Sequence, residues 1–461
     1  MFGKFTNLIK KVNRKGNILL FVMVFGAISF SVIIIGVAGY AISENRASVD
    51  KHNSEMAFQI ADAGINYSRW HLAHNKTDYY DGHSTSTPGP YVHDYKNKDG
   101  TIIGHFSLEI GAPLSGSTIV IVTSTGWLNV QPNTKRKIKV KLGFPALTDY
   151  SLLTGTDVWI GSMESTHGKF QANGGVRFDG TGDALIASAM ATYTCKSYHG
   201  CSNVTKPGIW GTGGPTQYWS FPAPAVDFTA VTADLAQIQD ASDPDKGGLN
   251  FTSSGQQGWR LQFTSSSQII AHKVLTTSCF QARDVGASTD FWPCIDISTQ
   301  DTGTTYSMPS NGYIYVDDNV WVDGVVKGRA VIGTSAGKNI MINGNLTYLA
   351  KDGTNVLGLI ADQNVLIPKN SPDVLEVDAA LLAQNGAAKR YYYANNTKTS
   401  LLIYGSIISD KIWTWNWQSG DSIVSGYRNT NSTYDANLTY GPPPGFPVGS
   451  QYNLISWEEV K

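Results

Sequence analysis

The chain has 461 residues, Lys+Arg 35 against Asp+Glu 36, and only 15% charged residues. So balanced a charge excludes a protein that works through a global basic field on nucleic acid, and 41% hydrophobic residues exclude a disordered chain. Forty-seven Gly, 12 Trp and 22 Tyr describe a β-rich exterior protein.

The first 16 residues hold Lys4, Lys10, Lys11, Arg14 and Lys15 and no acid, and no charge occurs from Asn17 to Ser43. As a helix, 18–42 spans roughly 37 Å, more than the ~30 Å of hydrocarbon that a membrane requires. It is longer than the apolar region of about 7–15 residues in a cleaved signal. Positive charge before the span places the N-terminus in the cytoplasm and everything after about residue 43 outside. Helical spacing then continues. Met56, Ala57, Ile60, Ala61, Gly64, Ile65, Ser68 and Leu72 fall on one stripe, with Glu55, Gln59, Asp62 and Asn66 opposite. One helix from about Asn17 to about Ala73 is expected, apolar all round in its first half and amphipathic in its second.

Lys15-Gly16 followed by Asn17-Ile18-Leu19-Leu20 resembles the junction cut by a prepilin peptidase. The run Ala57-Phe58-Gln59-Ile60-Ala61-Asp62-Ala63-Gly64-Ile65 is similar to the helix signature of PilX-type minor pilins of type IV pili. The resemblance implies cleavage after Gly16, with methylation of the exposed Asn17. It also implies a helix that packs among other pilins through Phe21, Ala57, Phe58, Ile60, Ala61, Gly64 and Ile65. One position departs from it. Most major pilins carry Glu where this chain has Phe21, a carboxylate kept in lipid only to pair with a neighbour's terminal amine. In the K-type minor pseudopilin of general secretion the same absence goes with a tip position. A plain signal anchor with a long juxtamembrane helix is the alternative.

Residues 82–100 read as a polar loop. The β-type runs 102–110, 117–125 and 135–143 follow, and the last sets Lys135, Arg136, Lys137, Lys139 and Lys141 among Ile138, Val140 and Leu142 as a half-exposed strand. A long helix and a small antiparallel sheet are also what the pilin resemblance implies. From about Tyr150 the chain turns to short apolar runs punctuated by Gly, Asn or Asp, such as Asp157-Val-Trp-Ile-Gly, Val176-Arg-Phe-Asp-Gly, Asn319-Val-Trp-Val-Asp-Gly, Asn339-Ile-Met-Ile-Asn-Gly and Asn364-Val-Leu-Ile. Trp321, Met341 and Leu366 recur at comparable places, the pattern of a solenoid whose coils stack their inward apolar residues. The predicted fold class is mainly β with a long N-terminal α-helix: a pilin-like helix and small antiparallel sheet, then a right-handed parallel β-helix. An antiparallel sandwich, with the Asn-Gly and Asp-Gly pairs as hairpin turns, is the rival.

The expected organisation is a basic leader at 1–16, the transmembrane and amphipathic helix at 17–75 and the small sheet at 76–149. A first part of the solenoid at 150–202 precedes an insertion or cap at 203–311, with a short helix starting near Asp227 and capped by Asp227 or Thr229. The solenoid resumes at 312–428, and a Pro-rich strap at 429–461 ends in a short strand, 454–457.

Cys195 with Cys201 and Cys279 with Cys294 are read as nearest-neighbour disulfides, since thiols outside the membrane oxidise. No Cys-x2-Cys spacing supports a metal through His199, and no cofactor is expected. Trp413, Trp415 and Trp417, spaced by two, share one face if in a strand; they either cap the solenoid end or stack a surface ligand. Asp317, Asp318, Asp323, Asp362 and Asp378 are the candidates for polysaccharide-cleaving chemistry, but corners favour Asp in any case, so no catalysis is expected. The functional expectation is a minor pilin at the tip or rare in the fibre. Its partners would be other major and minor pilins, the inner membrane before assembly, prepilin peptidase, and a surface glycan or host ligand, with no nucleic acid. The runner-up is a membrane-anchored exterior protein that binds or cleaves polysaccharide.

Overall fold

The computed structural model describes residues 14–85, 87–114, 116–144, 146–226, 228, 235–419, 422–449 and 452–460, with 14–17 described by backbone alone. They form two units, one of residues up to 111 with 121–140 and 456–461, the other of 112–120 and 141–455.

In the first unit, helix α1 (Arg14–His74) is continuous. The apolar side chains of its first part are exposed, Phe21 at 69% and Ile35 at 70%, and the stretch is long and apolar enough to be a candidate membrane anchor. The helix changes character where the sequence pattern does. Ala57, Ile60, Ala61, Gly64, Ile65, Ser68 and Leu72 are buried, because residues three and four apart return to the same side of a helix. The face is laid on a five-stranded sheet ordered Tyr91–Lys96, Ile102–Gly111, Ile119–Leu128, Gln131–Gly143, Asn453–Val460. The first two pairings are antiparallel. Ile138, Val140 and Leu142 are fully buried while the lysines beside them remain partly or wholly exposed, as the alternation predicts. The C-terminal strand is longer than expected and brings Glu458 and Glu459 to Lys139 and Arg136.

Helix and sheet meet backbone to backbone. A Cβ on Gly126 would overlap the Ala57 carbonyl oxygen and the Ala61 amide nitrogen, and one on Gly64 would overlap Ser124 Oγ. Gly126→Ala is therefore expected to lower the stability of this unit by about 1–3 kcal/mol, since backbone cannot step aside as a side chain can. A denaturant midpoint equal to wild type would show that the helix does not rest on this strand.

The second unit is built on a 22-stranded sheet whose recurring pairings are parallel. The sheet is mixed and not closed. Leu249, Ile314, Ile332, Leu359, Leu381, Ile407, Leu152, Phe170, Ile186 and Trp219 stand opposite one another in that order. The residues from Ile314 to Ile186 in this ladder are no more than 1% exposed. The spatial order differs from the expected one. The strand Asn396–Ser409 joins Leu152–Thr154, so the later stretch of sequence stacks before the earlier one, with Trp219–Ser220 at one end of the ladder and Leu249–Phe251 at the other.

The expected 203–311 insertion accordingly divides. Ile209–Trp210, Trp219–Ser220, Leu249–Phe251 and Gly258–Thr264 all pair in parallel with neighbouring segments. The part that departs from the ladder is the antiparallel arm of Gln268–Cys279 and Cys294–Gln300. Helix α2 (Leu235–Ala241) packs Ile238 against Tyr315, Val331 and Ile360; the expected caps Asp227 and Thr229 lie outside the described residues. Ser422–Tyr434 still pairs in parallel, so the ladder runs past the expected boundary at 428.

Trp321, Met341 and Leu366 are in register, as the repeat predicts. They do not face the main core. They form a second cluster with Val274, Ala282, Tyr391 and Tyr393, and Trp321 Nε1 donates to the Ile295 carbonyl at 2.7 Å. A strand buried on both faces needs apolar residues at successive positions, and the arm provides the second cover. The Asn-Gly and Asp-Gly pairs at 343–344 and 323–324 lie within strands at a register shift instead of forming hairpins. Asn319, Asn339 and Asn364 stack instead as a ladder. The Asn319 side-chain oxygen accepts from the Asn339 amide at 3.0 Å, that of Asn339 from the Asn364 amide at 3.1 Å, and that of Asn364 from the Ala387 amide at 3.0 Å. Such a ladder satisfies corner amides that no strand partner reaches.

The Pro-rich strap is held down by Arg329, which donates to the carbonyls of Gly441 and Pro442, both at 2.7 Å. Phe446 is buried beside Val356 and Ile360.

Candidate functional site: an aromatic cleft in the second unit

The carboxylates singled out by sequence do not assemble a site. Asp323 takes a two-pronged contact from Arg260 (2.8 and 2.9 Å) and a bond from Asn343. Asp318 accepts from the Ser254 amide and hydroxyl, Asp362 from the Gly337 amide and Asn385, and Asp378 from the Tyr348 amide and Lys351. Each is taken up by its own neighbours. Asp317 is exposed.

The tryptophan triplet divides as well. Trp415 is fully buried and Trp413 nearly so, edge to face at 6.0 Å. Trp417 is half-buried, and it alone of the three lies in a strand, Asn416–Ser419, so the three rings share no strand face. Trp413 and Trp417 border a cleft of about 690 Å³, whereas Trp415 does not.

That cleft is assembled from three places in the second unit, the first of them a separate three-stranded sheet. Strands Val158–Ile160, Val176–Phe178 and Ile209–Trp210 pair in parallel and bury Val158, Ile160, Val176, Phe178 and Ile209. Alternation then turns Trp159, Arg177 and Trp210 to the opposite side, one above another. The Arg177 guanidinium lies 4.1 Å from the Trp159 ring centre and 5.1 Å from that of Trp210, a cation over aromatic faces. Asp179 fixes this stack. It accepts from Arg177 Nε at 2.7 Å, Trp159 Nε1 at 2.9 Å and the Thr212 amide at 2.9 Å. Burial raises the Asp179 carboxyl, but those donors more than offset it and hold it below its ordinary value.

A second wall is the loop closed by the Cys195–Cys201 disulfide, which presents Tyr198 and His199 to the cleft. The Cys279–Cys294 pair is also joined. His199 is 3% exposed, and its carbonyl accepts from Arg177 at 2.8 Å. Burial, with Arg177 beside it, pushes its ring down to about 4, so it is neutral at pH 7. Glu164 forms part of the floor. Its carboxylate accepts from the Gly161 amide at 2.7 Å, Asn416 at 2.9 Å and Thr430 at 3.1 Å. Burial outweighs those three donors and raises it to about 7.

Sequence reasoning missed Glu164, Arg177 and Asp179. For Arg177 and Asp179 the signal lies in the outward-facing positions of Val176-Arg-Phe-Asp-Gly, whose apolar residues read as core; Glu164 sits in no such segment. Among the described residues no cluster of His, Cys, Asp and Glu could hold a metal. Phe21 stands exposed on α1, whereas Ala57, Ile60, Ala61, Gly64 and Ile65 are used within the unit. Phe58 packs edge-on to Trp457. Gly16 and Asn17 are described only as helical backbone.

No family model and no curated protein matches the chain. Among solved structures, the competence-associated pilin ComZ from Thermus thermophilus is similar over 88% of this chain and 97% of that one, at 12% identity and a TM-score of 0.30. A superposition that loose carries no argument about this chain.

Proposed function

We propose that the chain is a minor pilin-like component of a type IV pilus, at the tip or rare in the fibre, that assists assembly or attaches the fibre to a surface. The observation that carries this reading is the division of one helix. The first half of α1 exposes apolar residues all round, and the second half is packed on a small sheet. An apolar rod fixed to a folded head can exchange lipid contacts for the helices of other pilins without unfolding the head. The junction at Gly16 and Asn17 and the helix run 57–65, which resemble those of PilX-type pilins, supply the processing step and the class of partner.

We read the parallel ladders of the second unit as coils of a right-handed parallel β-solenoid, the hand that parallel connections within one sheet almost always take. So large an exterior would crowd a thin fibre if repeated, which favours the tip. The role is assembly, not catalysis.

In cells that make type IV pili, mass spectrometry is expected to find the mature chain beginning at Asn17 and present in sheared fibres, with Gly16→Val retained in the membrane, leader attached. A chain that keeps Met1 in cells whose other pilins are trimmed, and that is missing from their fibres, overturns the reading. The alternative of a membrane-anchored glycan-binding protein would then stand, favoured by the cleft.

A further inference from the structure

We propose that the cleft between Trp159, Tyr198 and Trp417 is a binding site for a neutral saccharide. The inference does not depend on whether the chain enters a fibre.

Four observations point to that chemistry. The cleft, about 690 Å³, falls within the ~300–1,000 Å³ of small-molecule sites, most of which combine aromatic walls with a few placed polar groups. Its walls carry Trp159, Trp417 and Tyr198, the last 38% exposed. Aromatic faces suit a pyranose, which presents flat C–H surfaces ringed by hydroxyls.

Secondly, two buried polar atoms at the cleft have no partner: His199 Nδ1 and Trp413 Nε1, on residues 3% and 4% exposed. An indole N–H can only donate, whereas an imidazole nitrogen donates or accepts according to tautomer. A hydroxyl serves both, and leaving such atoms unmatched costs about 1–3 kcal/mol each. A hydroxyl brought within reach of either atom would recover this.

Thirdly, the charges are already matched. Arg177, the guanidinium among the described lining residues, is bound to Asp179, and Glu164 is enclosed by three donors. A phosphate or sulfate would find no unpaired cation there, whereas a neutral polyol asks for none.

Finally, the wall that bears Tyr198 and His199 is closed by a disulfide between Cys195 and Cys201. Fixing a short loop beforehand reduces the ordering cost of binding.

The test is a titration of the full chain in micelles of a detergent without a sugar headgroup. Cellotetraose, maltotetraose, chitotetraose and β-1,4-galactotetraose are the neutral probes, and tetragalacturonate is the acidic one, with tryptophan fluorescence and calorimetry as readouts. At least one neutral probe is expected to bind and perturb the fluorescence. Tyr198→Ala and Trp159→Ala should each weaken it by about tenfold, the worth of one aromatic contact. Tyr198→Ala removes an exposed ring and should keep the fold, and circular dichroism checks the fold of both variants. Absence of binding by every neutral probe at 10 mM, preference for tetragalacturonate, or undiminished affinity in Tyr198→Ala with native dichroism overturns the proposal. None of these outcomes bears on processing at Gly16 or on presence in fibres.

Discussion

Ile407→Asp is expected to unfold the second unit as a whole. Ile407 is fully buried and stands between Leu381 on one side and Leu152 on the other, at the joint where two stretches distant in sequence become one ladder. An unpaired carboxylate there costs several kcal/mol, against a total stability of about 5–15 kcal/mol for a typical domain. Ile407→Val at the same place removes one methyl and should cost only about 0.5–1.5 kcal/mol. Limited proteolysis of the full chain checks the claim. If residues 150–220 remain protected in Ile407→Asp while 312–409 are cut, the joint does not couple the two stretches.

The second large effect concerns pH. Glu164 is raised from 4.5 to about 7, so the folded chain holds a proton that the unfolded chain releases between those values. Its contribution is full below pH 4.5 and is lost as pH rises to about 7. His199 is lowered from 6.5 to about 4, so the unfolded chain takes the proton first. Its contribution is full above pH 6.5 and is lost as pH falls to about 4. Each shift corresponds to ~3 kcal/mol. The two slopes have opposite sign and cancel over most of the range.

Wild type is therefore expected to show little pH dependence from this pair between pH 4.5 and 6.5. Relative to wild type, Glu164→Gln should lose about 3 kcal/mol as pH falls from 7 to 4.5, and His199→Gln about 3 kcal/mol as pH rises from 4 to 6.5. Urea midpoints across that range, taken as differences from wild type, measure both. Curves for the variants that run parallel to wild type would show that these groups titrate as they do when unfolded.

Local pattern was sufficient for some elements because their physics is local. The apolar run and the stripe from Met56 to Leu72 specify one helix with two environments, since side chains three and four apart share a face in any setting. The same holds for Ile138, Val140 and Leu142 in their strand. Trp321, Met341 and Leu366 were recognisable as equivalent positions because a stacked repeat places equivalent residues in register. The nearest-neighbour cysteine pairs required only short loops.

Sequence alone thus determined the helix, the small sheet, the existence of a repeat and the pairing of its cysteines. Tertiary structure decided the rest. The order of the ladder, with 396–409 stacking on 152–154, depends on which exposed edge finds which, and every edge in a repeat offers similar backbone donors and acceptors. Whether a column faces the core or lies under a separate arm cannot be read from apolarity, because both environments favour the same residues. The cleft is the clearest case. Trp159, Glu164, Tyr198 and Trp417 come together only because segments far apart in the chain are adjacent in space, and a site made that way has no period for a sequence to display.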